Sequence, residues 1–333
     1  MQAALIDRYG DNSRVRLADV PVPAVGHEDL LVKVHAASVN PVDTKIRDGK
    51  LKVLIRYRMP LVLGNDLAGT VAAIGPGVTR FKVGDAIYAR MDKQRIGAFA
   101  EYALVREAVA APKPVNLTFE EAASLPLVGL TAWQALIDIG RLQAGQKVLI
   151  HAGSGGVGTF AIQLARHLGA KVYTTVGQRN VELVQQLGAD VAIDYRTTRF
   201  EDVVQDCDVV LETLGDELLL RSFRSVKPGG VVVSIGNTPT AAFAREWGLN
   251  PLLVFVIGLM SRKAMAAARA RGARYEYLFM RADGEQLRQI AALVESGTIK
   301  PVIDRVFPLQ EVREALAYSE SGRATGKVVI RVD

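Results

Sequence analysis

Only one cysteine, Cys207, stands in this chain of 333 residues. No disulfide can close within the chain and no thiolate metal cluster can be assembled, which suits a reducing compartment. The 4 histidines, His27, His35, His151 and His167, lack metal-ligand spacing. His151 reads as a strand-end residue that could lie beside a bound ligand, and His167 as helix surface. No apolar run reaches the roughly 20 residues that a bilayer-crossing helix needs. The opening MQAALIDRYGDNSRV has no basic-then-apolar leader pattern, so a cytoplasmic location is expected. The net charge of +6, from 41 basic and 35 acidic residues, is modest. No helix-turn-helix, zinc-finger or RNA-recognition signature and no aromatic-basic interleaving accompanies it, so nucleic acid is not an expected partner. Repeats and low-complexity tracts are absent too. What remains is a globular composition, 49% hydrophobic and 23% charged, at a length that suggests two domains.

The most informative stretch runs from 147 to 172 and reads KVLIHAGSGGVGTFAIQLARHLGAKV. It predicts a short apolar strand, a glycine-rich turn, a helix and a second strand. Gly153, Gly155 and Gly158 stand in G-x-G-x-x-G spacing. The first glycine permits a tight turn, the second lets backbone approach a pyrophosphate, and the third lets helix pack on strand. The turn residues Gly153, Ser154, Gly155, Gly156, Val157 and Gly158 are therefore candidates to hold a dinucleotide. The helix N-terminus behind them offers free N–H groups and a positive dipole end. Val157, Phe160, Ala161, Leu164, Ala165 and Leu168 define one helical face, and Gly169 ends the helix.

The second strand ends in Gly177, Gln178, Arg179 and Asn180, all cofactor candidates. NAD-binding units hold the ribose 2′-hydroxyl with an acidic residue about 20 positions beyond the glycines. No carboxylate lies between Lys171 and Val181; the first is Glu182. A guanidinium at Arg179 pairs with a 2′-phosphate, which favours NADPH over NADH. The alternative for Arg179 is a solvated loop charge. Tyr195, after the third strand, could flank the adenine or contact the same phosphate.

Strand candidates at 147–151, 171–176, 191–194, 208–212 and 230–235 alternate with helical segments such as 181–187, and a sixth strand is expected at 275–280. This rhythm specifies a doubly wound parallel sheet. Leu214 and Gly215 follow the fourth strand, and Gly236 and Asn237 the fifth; both loops open toward the cofactor if the sheet is so ordered. The N-terminal part differs. Strand-like runs at 30–37, 69–74 and 85–89 are broken by Pro21, Pro23, Pro60 and Gly75-Pro76-Gly77, which suggests a β-rich, partly open barrel. A helix near 285–296 and a strand at 327–332 return to that style and are expected to pack back on it.

Several segments together resemble the medium-chain dehydrogenase/reductase superfamily, on its zinc-free quinone oxidoreductase branch. They are Ala36-Ala37-Ser38-Val39-Asn40-Pro41-Val42-Asp43, Gly64-Asn65-Asp66-Leu67-Ala68-Gly69, Phe81-Lys82-Val83-Gly84-Asp85, Leu130-Thr131-Ala132-Trp133, the glycine turn, and Gly326-Lys327-Val328-Val329. They run in the family's order. Within the branch the chain is similar to alkenal/one oxidoreductases and zeta-crystallin-like proteins. The resemblance implies an α/β protein: a GroES-like catalytic domain at 1–124 completed by 283–333, and a Rossmann NADP-binding domain at 125–282. It also implies an active site in the cleft between the domains and a homodimer.

Asn40 and Asn65 stand where the zinc-dependent branch has cysteine and histidine, and carboxamides are poor zinc donors. Without zinc, and with no flavin motif, hydride must come from NADPH and go to an acceptor that is already electrophilic, a quinone or an α,β-unsaturated carbonyl. Asn40 is then a candidate donor to the developing oxyanion or a contact to the nicotinamide. Lys45 is a candidate donor of a hydrogen bond or proton. Asp43 either orients Lys45 or caps the next helix. Thr131 matches the family position near the nicotinamide ribose, or is an ordinary helix residue. Lys327 either reaches the cofactor cleft or is solvated. Alternatives to the reductase reading are an enoyl-thioester reductase and a non-enzymatic NADPH-binding sensor or RNA binder.

One segment departs from the family pattern. Residues 250–260 read NPLLVFVIGLM, and 261–274 carry five basic residues and no acidic one. This segment could line a pocket for a hydrophobic acceptor, pack between subunits, or make weak peripheral membrane contact.

Overall fold

The computed structural model describes residues 1–236 and 238–332. The chain divides into two compact units, Met1–Leu130 with Arg281–Asp333, and Thr131–Met280. The first crossing falls inside the helix Pro126–Trp133.

In the second unit the strands lie in the order Val191–Asp194, Lys171–Val176, Lys147–Ile150, Cys207–Glu212, Val226–Ser234 and Arg274–Tyr277. All five neighbouring pairs are parallel. Counted from the glycine turn this is 3-2-1-4-5-6, the order of a doubly wound dinucleotide-binding sheet. Its central strands are near-continuous apolar runs, Val148-Leu149-Ile150, Val209-Val210-Leu211 and Val231-Val232-Val233, because helices cover both faces. The helix Gly156–His167 is buried on more than the predicted face. Ile162 and Gln163 are buried along with Phe160, Ala161, Leu164 and Ala165, whereas Val157 and Leu168 are only half-buried. The sixth strand is shorter than expected and ends at Tyr277.

The first unit is β-rich. Strands Ile303–Pro308, Lys327–Arg331, Asp29–Val39, Asp66–Ile74, Ala86–Arg90 and Ala110–Pro112 follow one another in one sheet, with Tyr102–Arg106 also pairing Asp29–Val39. A smaller sheet joins Arg16–Asp19, Gln2–Ile6 and Leu61–Val62. In Asp29–Val39, Leu30, Val32 and Val34 are buried while Leu31, Lys33 and His35 are not, the alternation of a half-covered strand. From Ala36 to Asn40 every residue is buried. Here Lys327–Arg331 pairs alongside and the short helix Phe119–Ala123 packs against the strand. The strand thus delivers Ser38 and Asn40 into a fully enclosed space.

Candidate functional site

At the glycine turn, Ala152 leaves the first strand in the left-handed region, with φ 52°. Gly153 N–H donates to Thr175 O at 3.0 Å, and Gly155 N–H to Ala152 O at 2.9 Å. The first bond of the following helix runs from Thr159 N–H to Gly155 O at 2.9 Å. The amides of Gly156, Val157 and Gly158 therefore precede the helical ladder and are available to an anion. Side chains are excluded where the motif requires it. A Cβ on Gly153 would lie 2.0 Å from Thr174 Oγ1, and one on Gly158 would lie 2.3 Å from Ala152 O. Ser154, Gly155, Gly156 and Val157 are half-buried, so the mouth of the turn is reachable. These residues fit a dinucleotide pyrophosphate.

Below the turn, His151 is wholly buried. Ser222 Oγ donates to Leu218 O at 2.8 Å, which commits its hydrogen, so His151 Nε2–H donates to Ser222 Oγ at 3.1 Å. His151 Nδ1 then accepts from Thr175 Oγ1 at 3.0 Å. Burial, and next Arg221, push the imidazole pKa down to about 3. His151 is a neutral tie between the first two strands and the helix Asp216–Ser222, with no face open to a ligand. His167 lies on the helix surface.

At the end of the second strand, Gly177 precedes a single turn, Gln178–Asn180, that carries Arg179 outward. A Cβ on Gly177 would sit 3.7 Å from Tyr195 Cε1, so Tyr195 and this turn share one place. The guanidinium of Arg196, which the sequence reading did not single out, lies 5.8 Å from the Tyr195 ring centroid. Asp194 pairs in register with Val176 and ends the neighbouring strand with a carboxylate. Its side chain accepts from Arg196 N–H at 3.1 Å, within its own turn.

At the ends of the fourth and fifth strands, Glu212 is the organising group, and the sequence reading missed it. It is wholly buried. It accepts from Leu214 N–H at 2.6 Å, from Gly215 N–H, and from Ser234 Oγ at 2.7 Å. Gly236 N–H in turn donates to Ser234 Oγ at 3.2 Å. One carboxylate thus ties the Leu214–Gly215 loop to the Gly236 loop. The signal was an acidic residue closing the apolar run Val209-Val210-Leu211. Asn237 lies outside the described residues. Thr131 is buried in the helix Pro126–Trp133.

A second polar group lies in the first unit. Lys327 is buried; its Nζ donates to Asn40 Oδ1 and to Val39 O at 3.1 Å, and lies 3.8 Å from Asp66 Oδ2. Asn40 Nδ2 donates to Asp66 at 2.9 Å and to Ser38 O at 3.3 Å. Asp43 accepts from Asn40 N–H and Asn65 Nδ2, each at 2.7 Å. Burial raises the Asp43 carboxyl to about 7, and raises Asp66 as well. Arg90 is buried beside them, and burial lowers its pKa despite Asp66. Among the described residues, Asn65 Oδ1 and Arg90 Nε have no hydrogen-bond partner.

One expectation changes here and two open alternatives narrow. Asn40 is saturated at both ends of its amide and is enclosed, so it has no hydrogen left for an oxyanion. Lys327 is neither solvated nor at a surface. Asp43 caps its helix through Asn40 N–H rather than orienting Lys45. Lys45 itself is partly buried, and burial followed by Lys50 lowers its pKa. Among the described residues no group of three His, Cys, Asp or Glu side chains is placed to hold a metal ion. Asn40 and Asn65, whose Nδ2 groups donate to Asp66 and Asp43, offer carboxamides in place of sulfur or imidazole and are poor zinc donors.

Two family models match the chain: the alcohol dehydrogenase GroES-like domain over residues 26–115 and zinc-binding dehydrogenase over 187–330. The human mitochondrial NAD(P)H oxidoreductase RTN4IP1 is 35% identical, over 100% of this chain and 89% of that protein. The chloroplastic NADPH-dependent alkenal/one oxidoreductase of Arabidopsis thaliana is 34% identical, over 99% of this chain and 79% of that protein. The structure of the quinone oxidoreductase from Coxiella burnetii superposes with a TM-score of 0.88 at 32% identity, covering 100% of this chain and 99% of that one. The GroES-like and Rossmann-type units, the motif order and these relatives agree: the chain belongs to the medium-chain dehydrogenase/reductase superfamily, in its quinone oxidoreductase branch, and is an oxidoreductase.

Proposed function

We propose that the protein is an NADPH-dependent, zinc-independent reductase of quinones or α,β-unsaturated carbonyls. One observation carries the reading. A turn that excludes side chains at Gly153 and Gly158 lies beside a strand end holding Arg179, with no carboxylate from Lys171 to Val181. NADPH, when bound, supplies a hydride. The rest falls to the chain's own residues. The amides of Gly156, Val157 and Gly158 bind the pyrophosphate. Arg179 pairs with the 2′-phosphate, where a guanidinium fork suits a dianion, and Arg196, beside the Tyr195 ring, is a second candidate for it. Glu212 holds the loops at Leu214 and Gly236 in a fixed relation at the carboxyl ends of their strands, where open α/β sheets take ligands. Lys45, a partly desolvated ammonium, is the candidate donor to the oxygen on which charge develops.

Zinc takes no step in this reading, because amide side chains stand where sulfur and imidazole donors would be needed. Simple alcohols are then poor substrates. Quinones and enones remain, since their carbonyls accept charge at a distance from the attacked carbon. The relatives' names, a quinone oxidoreductase and an alkenal/one oxidoreductase, support both acceptor classes. The discriminating experiment follows reduced-nicotinamide absorbance with panels of quinones, free enones and crotonyl-CoA. Turnover with the first two panels is expected. Preference for crotonyl-CoA would make the protein an enoyl-thioester reductase, and no oxidation with any acceptor would remove the enzymatic reading.

A further inference from the structure

The chemistry proposed above uses no residue between Asn250 and Gly272. Helix Pro251–Met260 begins at Asn250, whose side chain accepts from Leu253 N–H at 2.9 Å. It ends at Ser261, whose hydroxyl donates back to Ile257 O at 3.0 Å. The chain bends there by 57° into helix Arg262–Arg271. Ile257 is the one buried side chain of the first helix. The helix approaches the body closely at Gly258, where a Cβ would lie 3.3 Å from the Cβ of Ala241.

Leu252, Phe255, Leu259 and Met260 are exposed at 71%, 69%, 56% and 63%, with Val256 beside them at 41%. Their spacing puts all five on one helical face. A monomer rarely leaves such a contiguous apolar row in water without a use for it. The second helix is built differently. Ala264 and Ala268 pack into the core of the second unit. Arg262, Lys263 and Arg269 point away from it and are exposed. Among the described residues none of these three has an ion-pair partner. No acidic residue occurs between Glu246 and Glu276.

We propose that this bent helix pair docks the protein on the surface of an anionic phospholipid bilayer. The apolar row enters the headgroup boundary, and Arg262 and Lys263, directly following it, meet the lipid phosphates and carboxylates together with Arg269. The helix lies on the membrane and does not span it. Ten residues rise about 15 Å, half of a typical hydrocarbon core. Among the described residues no single helix is long and apolar enough to cross. The charges choose the occupant. A second copy would cover the apolar row but bring two basic helices together, a like-charge arrangement that opposes association. A lipid surface with negative headgroups satisfies row and flank at once.

The inference is independent of cofactor and acceptor. Its test uses the full chain and sedimentation with sucrose-loaded vesicles, of phosphatidylcholine alone or with phosphatidylserine, at low and high salt. Two variants accompany the wild type, Phe255→Ser/Leu259→Ser and Arg262→Glu/Lys263→Glu; their altered side chains are exposed, and an unchanged melting temperature verifies folding. Binding is expected for the phosphatidylserine vesicles only, weakening with salt, and falling roughly tenfold or more in each variant. Equal binding to both vesicle types, or full binding by Phe255→Ser/Leu259→Ser, overturns it. So does a wild type that ignores vesicles and forms a dimer which that variant splits in light scattering, because the face then belongs to a second copy.

Discussion

At Gly153 the absence of a side chain is a packing requirement. A Cβ there would meet Thr174 Oγ1 at 2.0 Å, and that hydroxyl is held by Ile150 O at 2.8 Å. Gly153→Ala is expected to displace the turn, lower stability by about 1–3 kcal/mol and abolish measurable NADPH binding. A thermal melt together with a fluorescence titration checks both effects. At Arg179 the expectation concerns selectivity. Arg179→Glu should weaken NADPH by roughly ten- to a hundredfold and spare NADH, since one charge-assisted contact becomes a repulsion. Equal loss for the two nucleotides, compared as Kd values, would contradict the assignment. His151 carries a pH signature. Its folded pKa of about 3 lies below the ordinary value of 6.5, so the unfolded chain binds its proton first. Its contribution is complete above pH 6.5 and falls as pH drops, by about 1 kcal/mol per pH unit. Asp43 has the opposite sign: its carboxyl is raised from 3.8 to about 7, so its contribution is present at low pH and lost as pH rises through that range. Urea denaturation of wild type and His151→Gln between pH 6.5 and 5 separates the two, and the wild type should show the steeper acid loss.

Among the elements, the glycine turn and the strands around it were legible because each carries a local signature. The turn must use glycine, and the parallel strands are apolar runs ended by glycine or polar residues. The loops after the fourth and fifth strands were legible as positions, but the group that ties them was not. Glu212 joins Leu214, Gly215 and Ser234 through bonds that cross strands, and one-dimensional spacing carries no trace of that. The same holds for Lys327 and Asn40, 287 positions apart in the chain. Their residue types suggested solvent or substrate, and only the pairing of Lys327–Arg331 with Asp29–Val39 encloses them together. Arg196 escaped attention because a basic residue after a strand looks like any solvated loop charge. Glu212→Gln keeps the shape but gives up one acceptor oxygen. It is expected to cost about 1–3 kcal/mol of stability and to raise the KM for NADPH severalfold with a smaller change in kcat. An unchanged KM would mean that the two loops do not serve the nucleotide.

For the whole molecule, composition excluded an intrachain disulfide and a thiolate metal cluster and gave no nucleic-acid signature, while the order of motifs from Ala36 to Val329 carried the family. Substrate class was not legible in that order, because the shared motifs build the scaffold and the nucleotide site rather than the acceptor site. The apolar row at Leu252–Met260 was visible as composition, but its role was not. Periodicity places side chains on a face and says nothing of whether another element covers that face; its exposure emerges only from the fold.

Calorimetric titration of chelator-washed protein with NADPH, and in parallel with NADH, tests the central claim most directly. One NADPH should bind per chain, at least tenfold more tightly than NADH, with no need for added metal. Absence of binding to either nucleotide, or binding that appears only when zinc is restored, would contradict it.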